Sequence, residues 1–286
     1  MVSLLDDDER ERVVRFGAEL EIENAVENGR LRVSGGQCVF LSDQGLCRIH
    51  ATYGFEQKPH LCRQFPVVAL RAEDGVRIGV DPACFHSWTN WESGPPVEVD
   101  RLVVGRVERS DSDSELERRL LHFCESGSAT VSGLVHWVCG VRPVEGALLP
   151  PGFEARLHAH LKSIAFADFW TADGCSPTVR SALEGLVASV LEPSQVPEFS
   201  LGAGEEEWAI ESLRRTLYLR LSGTSINVGG AVLLYLIGVV VIAWSGRKEE
   251  AFAHALAGWV RAMRFPHFWT PILPDSQTMA RLTTGA

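Results

Sequence analysis

Four cysteines, Cys38, Cys47, Cys62 and Cys84, fall within 47 residues of a 286-residue chain. Four thiolates gathered by a fold can hold a zinc ion or an iron–sulfur cluster, because both accept tetrahedral sulfur ligation. The spacing Cys-x8-Cys-x14-Cys-x21-Cys is looser than the Cys-x2-Cys pairs of zinc ribbons, so the immediate contexts carry more weight than the intervals. Cys47 follows a turn at Gly45, Cys62 follows Pro59-His60-Leu61, and Cys84 follows Asp81-Pro82. Each lies where irregular backbone can aim a thiolate and nearby N–H donors at a common centre. Arg48 and Arg63, each directly after a cysteine, favour the ionised thiol. His50 and His86 are substitute ligands for a mixed site. The competing reading is four unrelated cysteines, with Cys38-Val39-Phe40-Leu41 a buried strand.

The rest of the composition restricts what such a site could serve. Hydrophobic residues make up 45% and charged residues 22%, as in a folded globular chain. A net charge of −10 argues against nucleic acid as a partner, since phosphate binding draws on Lys and Arg. Met1 to Arg15 is rich in Asp, Glu and Arg where a secretory segment would be apolar, so a cytoplasmic location is expected. Seven cysteines in that compartment read as thiols or metal ligands, and Cys124, Cys139 and Cys175 as ordinary buried or half-buried thiols.

Several elements must position the cysteines. Apolar positions among the charges of residues 6 to 28 fit one or two short helices. Val67-Val68-Ala69-Leu70 and Val76-Arg77-Ile78-Gly79-Val80, on either side of Asp74-Gly75, read as a hairpin that returns Cys84 towards Cys62. Gly94-Pro95-Pro96 marks a boundary, giving a cysteine-cluster region over 1–96 and a helical domain over 97–286. Beyond it, helices are expected over Glu115 to Cys124 and Val131 to Val138, with a third or a pair from Phe153 to Trp170. Pro193 to Glu207 reads as a polar connection, followed by helices over Trp208 to Leu221, Val228 to Trp244 and Glu249 to Arg264. The run from Val228 to Trp244 is uncharged and at the lower edge of membrane-spanning length, but amphipathic segments on both sides favour a central core helix and no membrane. The fold class is mainly α: a small irregular Cys-rich α+β metal-binding region with a short hairpin, then a helical domain.

Taken together, Cys38-Val39-Phe40-Leu41, Gly45-Leu46-Cys47-Arg48-Ile49-His50, Tyr53-Gly54, Leu61-Cys62-Arg63-Gln64-Phe65-Pro66 and Cys84 resemble the cysteine-cluster family described as a putative zinc- or iron-chelating domain. The likeness is to its flagellin lysine N-methylase branch, whose layout the stretch from Trp208 to Trp269 also resembles. The resemblance implies an iron–sulfur (4Fe-4S) cluster or zinc on Cys38, Cys47, Cys62 and Cys84. It further implies methyl transfer from S-adenosylmethionine to lysines of a protein substrate such as flagellin. Family members carry further cysteines upstream of the position matching Cys38, whereas residues 1 to 37 hold none. No Gly-rich adenosine-binding loop follows a strand, so a doubly wound methyltransferase is not expected. Glu56, Asp81, Tyr53 and Tyr218 are candidate bases by residue type or by nearness to the motifs. The alternative function is a non-catalytic zinc- or iron-binding structural or interaction module.

Overall fold

A computed structural model describes residues 5–34, 37–44, 46–84, 102–142, 148–164, 185–186, 188, 197–221, 226–264, 268, 270 and 272–284. The chain is mainly α with small sheets. Its first helix, α1 (Asp7–Glu19), starts where the Asp6 carboxylate accepts the N–H of Glu9 at 2.7 Å, and buries Val13 and Phe16. A second helix does not follow. Asn28 and Gly29 take left-handed backbone (φ 51° and 70°), so the chain turns back as a hairpin of β1 (Val26–Glu27) and β2 (Arg30–Leu31). Asn-Gly is the pair that a tight hairpin turn demands. A second short hairpin pairs β3 (Val33–Ser34) with β4 (Gln37–Cys38). Two short helices follow, α2 (Arg48–Tyr53) and α3 (His60–Gln64), separated by a 3-10 turn at Phe55–Gln57.

The expected hairpin is present as β5 (Val67–Ala72) and β6 (Gly75–Val80), in register from Val67↔Val80 to Ala72↔Gly75. A third strand, β7 (Val104–Arg106), joins β5 in parallel, with Ala69 opposite Val104. Its Val-rich run after Leu102 was a strand signal that the sequence reading passed over. Gln64 extends this edge, because its side-chain amide donates to the Val103 carbonyl (3.2 Å) and accepts the Val103 N–H (2.8 Å).

The helical part packs around α8 (Val228–Trp244), which has the bounds read from sequence and is buried along almost its whole length. A helix apolar on every side belongs at the centre of a bundle or in a membrane. Here α4 (Asp111–Glu125), α5 (Val131–Val138), α7 (Ala203–Tyr218) and α9 (Glu249–Ala262) pack against it. Among the described residues no helix is long and apolar enough to cross a membrane. Two further helices, α6 (Phe153–Ser163) and α10 (Ser276–Thr284), pack on each other. Residues 165–184, in which the later part of the Phe153 to Trp170 reading falls, lie outside the described residues.

Helix starts account for most of the boundaries. Ser110, Thr130 and Asn227 side chains accept the N–H groups of Asp113, Gly133 and Gly230. Helix α7 begins at Ala203, within the stretch read from sequence as a connection. There the Glu205 carboxylate accepts the N–H of Gly202 (2.5 Å) and, across the bundle, that of Glu249 (2.9 Å) at the start of α9. The acidic first turn of α7, Glu205 and Glu206, also suits the positive end of the helix dipole. Inside the bundle, the Tyr235 hydroxyl donates to Ala209 O at 2.7 Å and Trp259 Nε1 donates to Leu234 O at 3.0 Å, so both polar tips are satisfied where they are buried.

Candidate functional site

Three of the four predicted ligands border one small hydrophobic core. Leu5, Val13, Phe16, Ala25, Leu31, Phe40 and Ile49 form that core, and Cys38, Cys47 and Cys62 pack against it half-buried. The segment from Cys38 to Arg48 folds on itself: Leu41 N donates to Cys38 O, Ser42 N to Leu46 O, and Arg48 N to Phe40 O. Leu41 and Cys47 pair as an antiparallel bridge, which brings the Cys47 end back beside the Cys38 end. Burial pushes the Cys38 thiol up; the N–H of Phe40 opposes this, and the charge of Cys47 adds to the rise. Strand β4 is only two residues long, so Cys38 sits at a strand end and not inside a buried strand.

Helix α1 holds the other two segments. Glu9, 8% exposed, accepts the N–H of His60 at 2.5 Å, which anchors the helix carrying Cys62. Phe16 stacks on Tyr53 with centroids 4.1 Å apart, and Arg48 Nη2 donates to Leu20 O at 2.7 Å, which together anchor the helix that Cys47 opens. Cys84 lies at the far end of the β5–β6 hairpin. Asp81 N donates to Pro66 O, continuing the ladder by one rung, and Cys84 N closes a turn onto Asp81 O. That turn is fixed because Asp81, fully buried, accepts from both Nη atoms of Arg264 (2.5 and 2.8 Å) and from Ala83 N at 2.8 Å. The hairpin thus returns Cys84 to the end from which α3 and Cys62 enter.

No disulfide joins the six described cysteines. Among the described residues no group of three or more His, Cys, Asp or Glu side chains is placed to hold a metal ion. His50 is exposed, with its ring edge-on to Phe55 at 5.8 Å; His86 lies outside the described residues. The arginines expected to favour thiolates are tied elsewhere, Arg48 on Leu20 O and Arg63 on Glu56 at 2.9 Å. Cys124 and Cys139 are buried, and burial lifts their thiols to about 12 and about 11. Cys175 lies outside the described residues.

The four candidate bases have structural partners. Glu56 binds Arg63, Asp81 binds Arg264, the Tyr53 hydroxyl donates to Glu19 at 2.6 Å, and the Tyr218 ring covers the Arg77 guanidinium at 5.3 Å. What sequence reasoning did not find is a buried charge cluster around Glu117 on α4. Its signal was an acid at a core-facing position, since Glu117, Leu120 and Cys124 form the buried stripe of that helix. No protein-family model matches this chain, and neither does any curated protein or solved structure.

Proposed function

We propose that this chain is a metal-binding cysteine-cluster protein, in which Cys38, Cys47, Cys62 and Cys84 take up zinc or an iron–sulfur cluster. The observation that carries the reading is that Cys38, Cys47 and Cys62 border one small core while a hairpin returns Cys84 to the end where Cys62 enters. The resemblance to flagellin lysine N-methylases adds methyl transfer from S-adenosylmethionine to protein lysines as the activity, with iron–sulfur as the centre. No residue of the chain is assigned to that step.

The non-catalytic reading, a metal-bound structural module, is favoured by one observation. Glu56, Asp81 and Tyr53 are each held by a structural partner, and Tyr218 stacks on Arg77. A group so held is poorly placed to accept a proton from a lysine.

Protein purified without oxygen and analysed for iron, sulfide and zinc tests the proposal. Iron and sulfide with broad absorption near 400 nm, or one zinc per chain, supports it if the metal is lost in the Cys38→Ser and Cys62→Ser variants. Iron–sulfur together with saturable S-adenosylmethionine binding supports the methylase reading, and zinc alone supports the module. Wild-type protein that takes up neither metal, even on reconstitution, overturns both.

A further inference from the structure

Of the four asparagines in the chain, only Asn28 is followed by glycine. That step is the one most open to attack by the backbone on the side chain. Glycine has no Cβ to shield its amide nitrogen or to restrict the rotation that brings it to the asparagine amide. Asn28 and Gly29 form the whole connection between β1 and β2, both in left-handed backbone (φ 51° and 70°), and Asn28 is exposed. Among the described residues neither the Asn28 side-chain amide nor the Gly29 N–H has a hydrogen-bond partner. Two rungs, Glu27↔Arg30 and Val26↔Leu31, close the hairpin, and a ladder this short opens locally at little cost.

Two other steps show what restrains the same chemistry elsewhere. Asn24 is also exposed and left-handed (φ 48°), but Arg32 Nε holds its carbonyl at 2.8 Å, and the next residue, Ala25, carries a Cβ and is buried. Asp74-Gly75 lies at the turn of the β5–β6 hairpin, where Arg77 Nε and Nη2 donate to the Asp74 carboxylate, both at 3.0 Å. A carboxylate held ionised by a guanidinium is a poor electrophile. The Asn28 amide is neutral and unheld. Its turn also anchors the start of the chain: Gly29 O accepts Leu5 N at 2.9 Å, and Leu5 is buried in the small core that Cys38, Cys47 and Cys62 border.

We propose that Asn28 is a site of spontaneous deamidation, and that its isoaspartyl product releases Leu5 from the hairpin. Solvent base removes the Gly29 amide proton in the locally opened turn, and the nitrogen attacks Asn28 Cγ. A C–N bond forms, the bond to the side-chain nitrogen breaks, and ammonia leaves a cyclic imide. Water then opens the imide at either carbonyl. Opening at Cγ gives aspartate; opening at the main-chain carbonyl gives isoaspartate, whose backbone runs through Cβ and Cγ and is longer by one atom. The net change is water in and ammonia out, with no electrons transferred. Both products carry a new negative charge, but only isoaspartate changes the length of the turn. The longer turn shifts Gly29 O away from Leu5 N and frees the segment that leads into α1. This inference does not rest on the function proposed above.

The test ages the full chain in mildly alkaline buffer and follows the tryptic peptide of residues 16–30, which contains both Asn24 and Asn28. Digestion under mildly acidic conditions keeps new deamidation out of the count. The expected result is a gain of about one dalton, localised to Asn28 by fragment ions, arising about tenfold or more faster than at Asn24, with isoaspartate the larger product. Amide exchange of Leu5 should be about tenfold or more faster in the isoaspartyl fraction than in fresh protein. It should be unchanged in Asn28→Asp, which adds the charge at constant backbone length. Asn28→Gln, aged alongside, should keep its Leu5 protection, because the longer side chain does not close the imide readily. Equal rates at Asn28 and Asn24 overturn the site. Unchanged Leu5 exchange in the isoaspartyl fraction, or an equal loss of protection in aged Asn28→Gln, overturns the release.

Discussion

Replacing Gly238 by alanine sets helix propensity against packing, and the structure says which prevails. Gly238 lies mid-way along α8, where propensity alone makes Gly→Ala stabilising by about 1 kcal/mol. A Cβ there would stand 2.3 Å from Trp259 Nε1, 2.4 Å from Cδ1 and 2.5 Å from Cε2, so the indole would have to retreat by roughly 1 Å to reach ordinary contact. It has nowhere to go. Trp259 is 1% exposed, its N–H is bonded to Leu234 O, and Phe268 meets its ring edge-on at 5.1 Å. Overpacking of this kind costs about 1–3 kcal/mol, and loosening the buried indole hydrogen bond costs about 1–3 more. Against the propensity gain the net is roughly 3 kcal/mol of destabilisation, or a fall in Tm of about 6–12 °C for a chain of this size. Gly258 on the facing helix α9 is the control. A Cβ there meets nothing within 4 Å, so Gly258→Ala should raise Tm by about 2–4 °C. Thermal melts at one scan rate, followed by far-UV circular dichroism and Trp fluorescence, read both variants. A Gly238→Ala chain as stable as wild type would refute the reasoning, and so would two variants that shift in the same direction.

Glu205→Ala should cost about 2–4 kcal/mol, because a 5%-exposed carboxylate then no longer serves two backbone N–H groups; urea midpoints measure it. The N–H of Glu249, opposed by burial and aided by the N–H of Gly202, holds the Glu205 carboxyl below the usual carboxylate range. A depressed folded-state pKa means this stability is present above about pH 4.3 and is lost as the pH falls towards the folded-state pKa, so wild type should lose more stability than Glu205→Gln between about pH 5 and pH 3. Asp81→Ala leaves Arg264 without its buried partner and should cost about 3–5 kcal/mol in the same urea assay; a loss under about 1 kcal/mol would show that the pair does not fix the turn before Cys84. At pH 8 the thiolate fraction is about one in ten thousand for Cys124 and one in a thousand for Cys139. Iodoacetamide should therefore label both at least about a hundredfold more slowly in the folded chain than in urea, as followed by peptide mass spectrometry.

Where local signals act alone, the sequence was readable. Val228 to Trp244 is uniformly apolar and capped by Asn227, and Val131 to Val138 follows the Thr130 cap; both helices have the bounds read from the residues. The hairpin of 67–80 was visible from two Val-rich runs around Asp74-Gly75. The hairpin at 26–31 was not, although Asn28-Gly29 signalled it, because strands of two residues have no periodicity to read. The start of α7 was placed late because the carboxylate that caps it lies inside the helix and works on Gly202 and Glu249 together. For the candidate centre, clustering and local context named Cys38, Cys47, Cys62 and Cys84 but carried no distances. That three of them share a core follows from α1 contacts through Glu9, Phe16 and Leu20, which no motif encodes. The Glu117 cluster joins residues 40 and 103 positions apart, a relation that pattern reading does not reach.

The Glu205 carboxylate also sets how the molecule opens. Helices α7 and α9 begin 46 residues apart in sequence, yet their first turns are held by one side chain, and Glu249 keeps a left-handed backbone (φ 47°) where its N–H meets that carboxylate. When Glu205 swings out, both helix starts lose their acceptor at once and Glu249 is released to an ordinary conformation. The amide protons of Gly202 and Glu249 are therefore expected to become exchangeable in a shared opening, with similar protection factors, although the chain between them passes through the centre of the bundle.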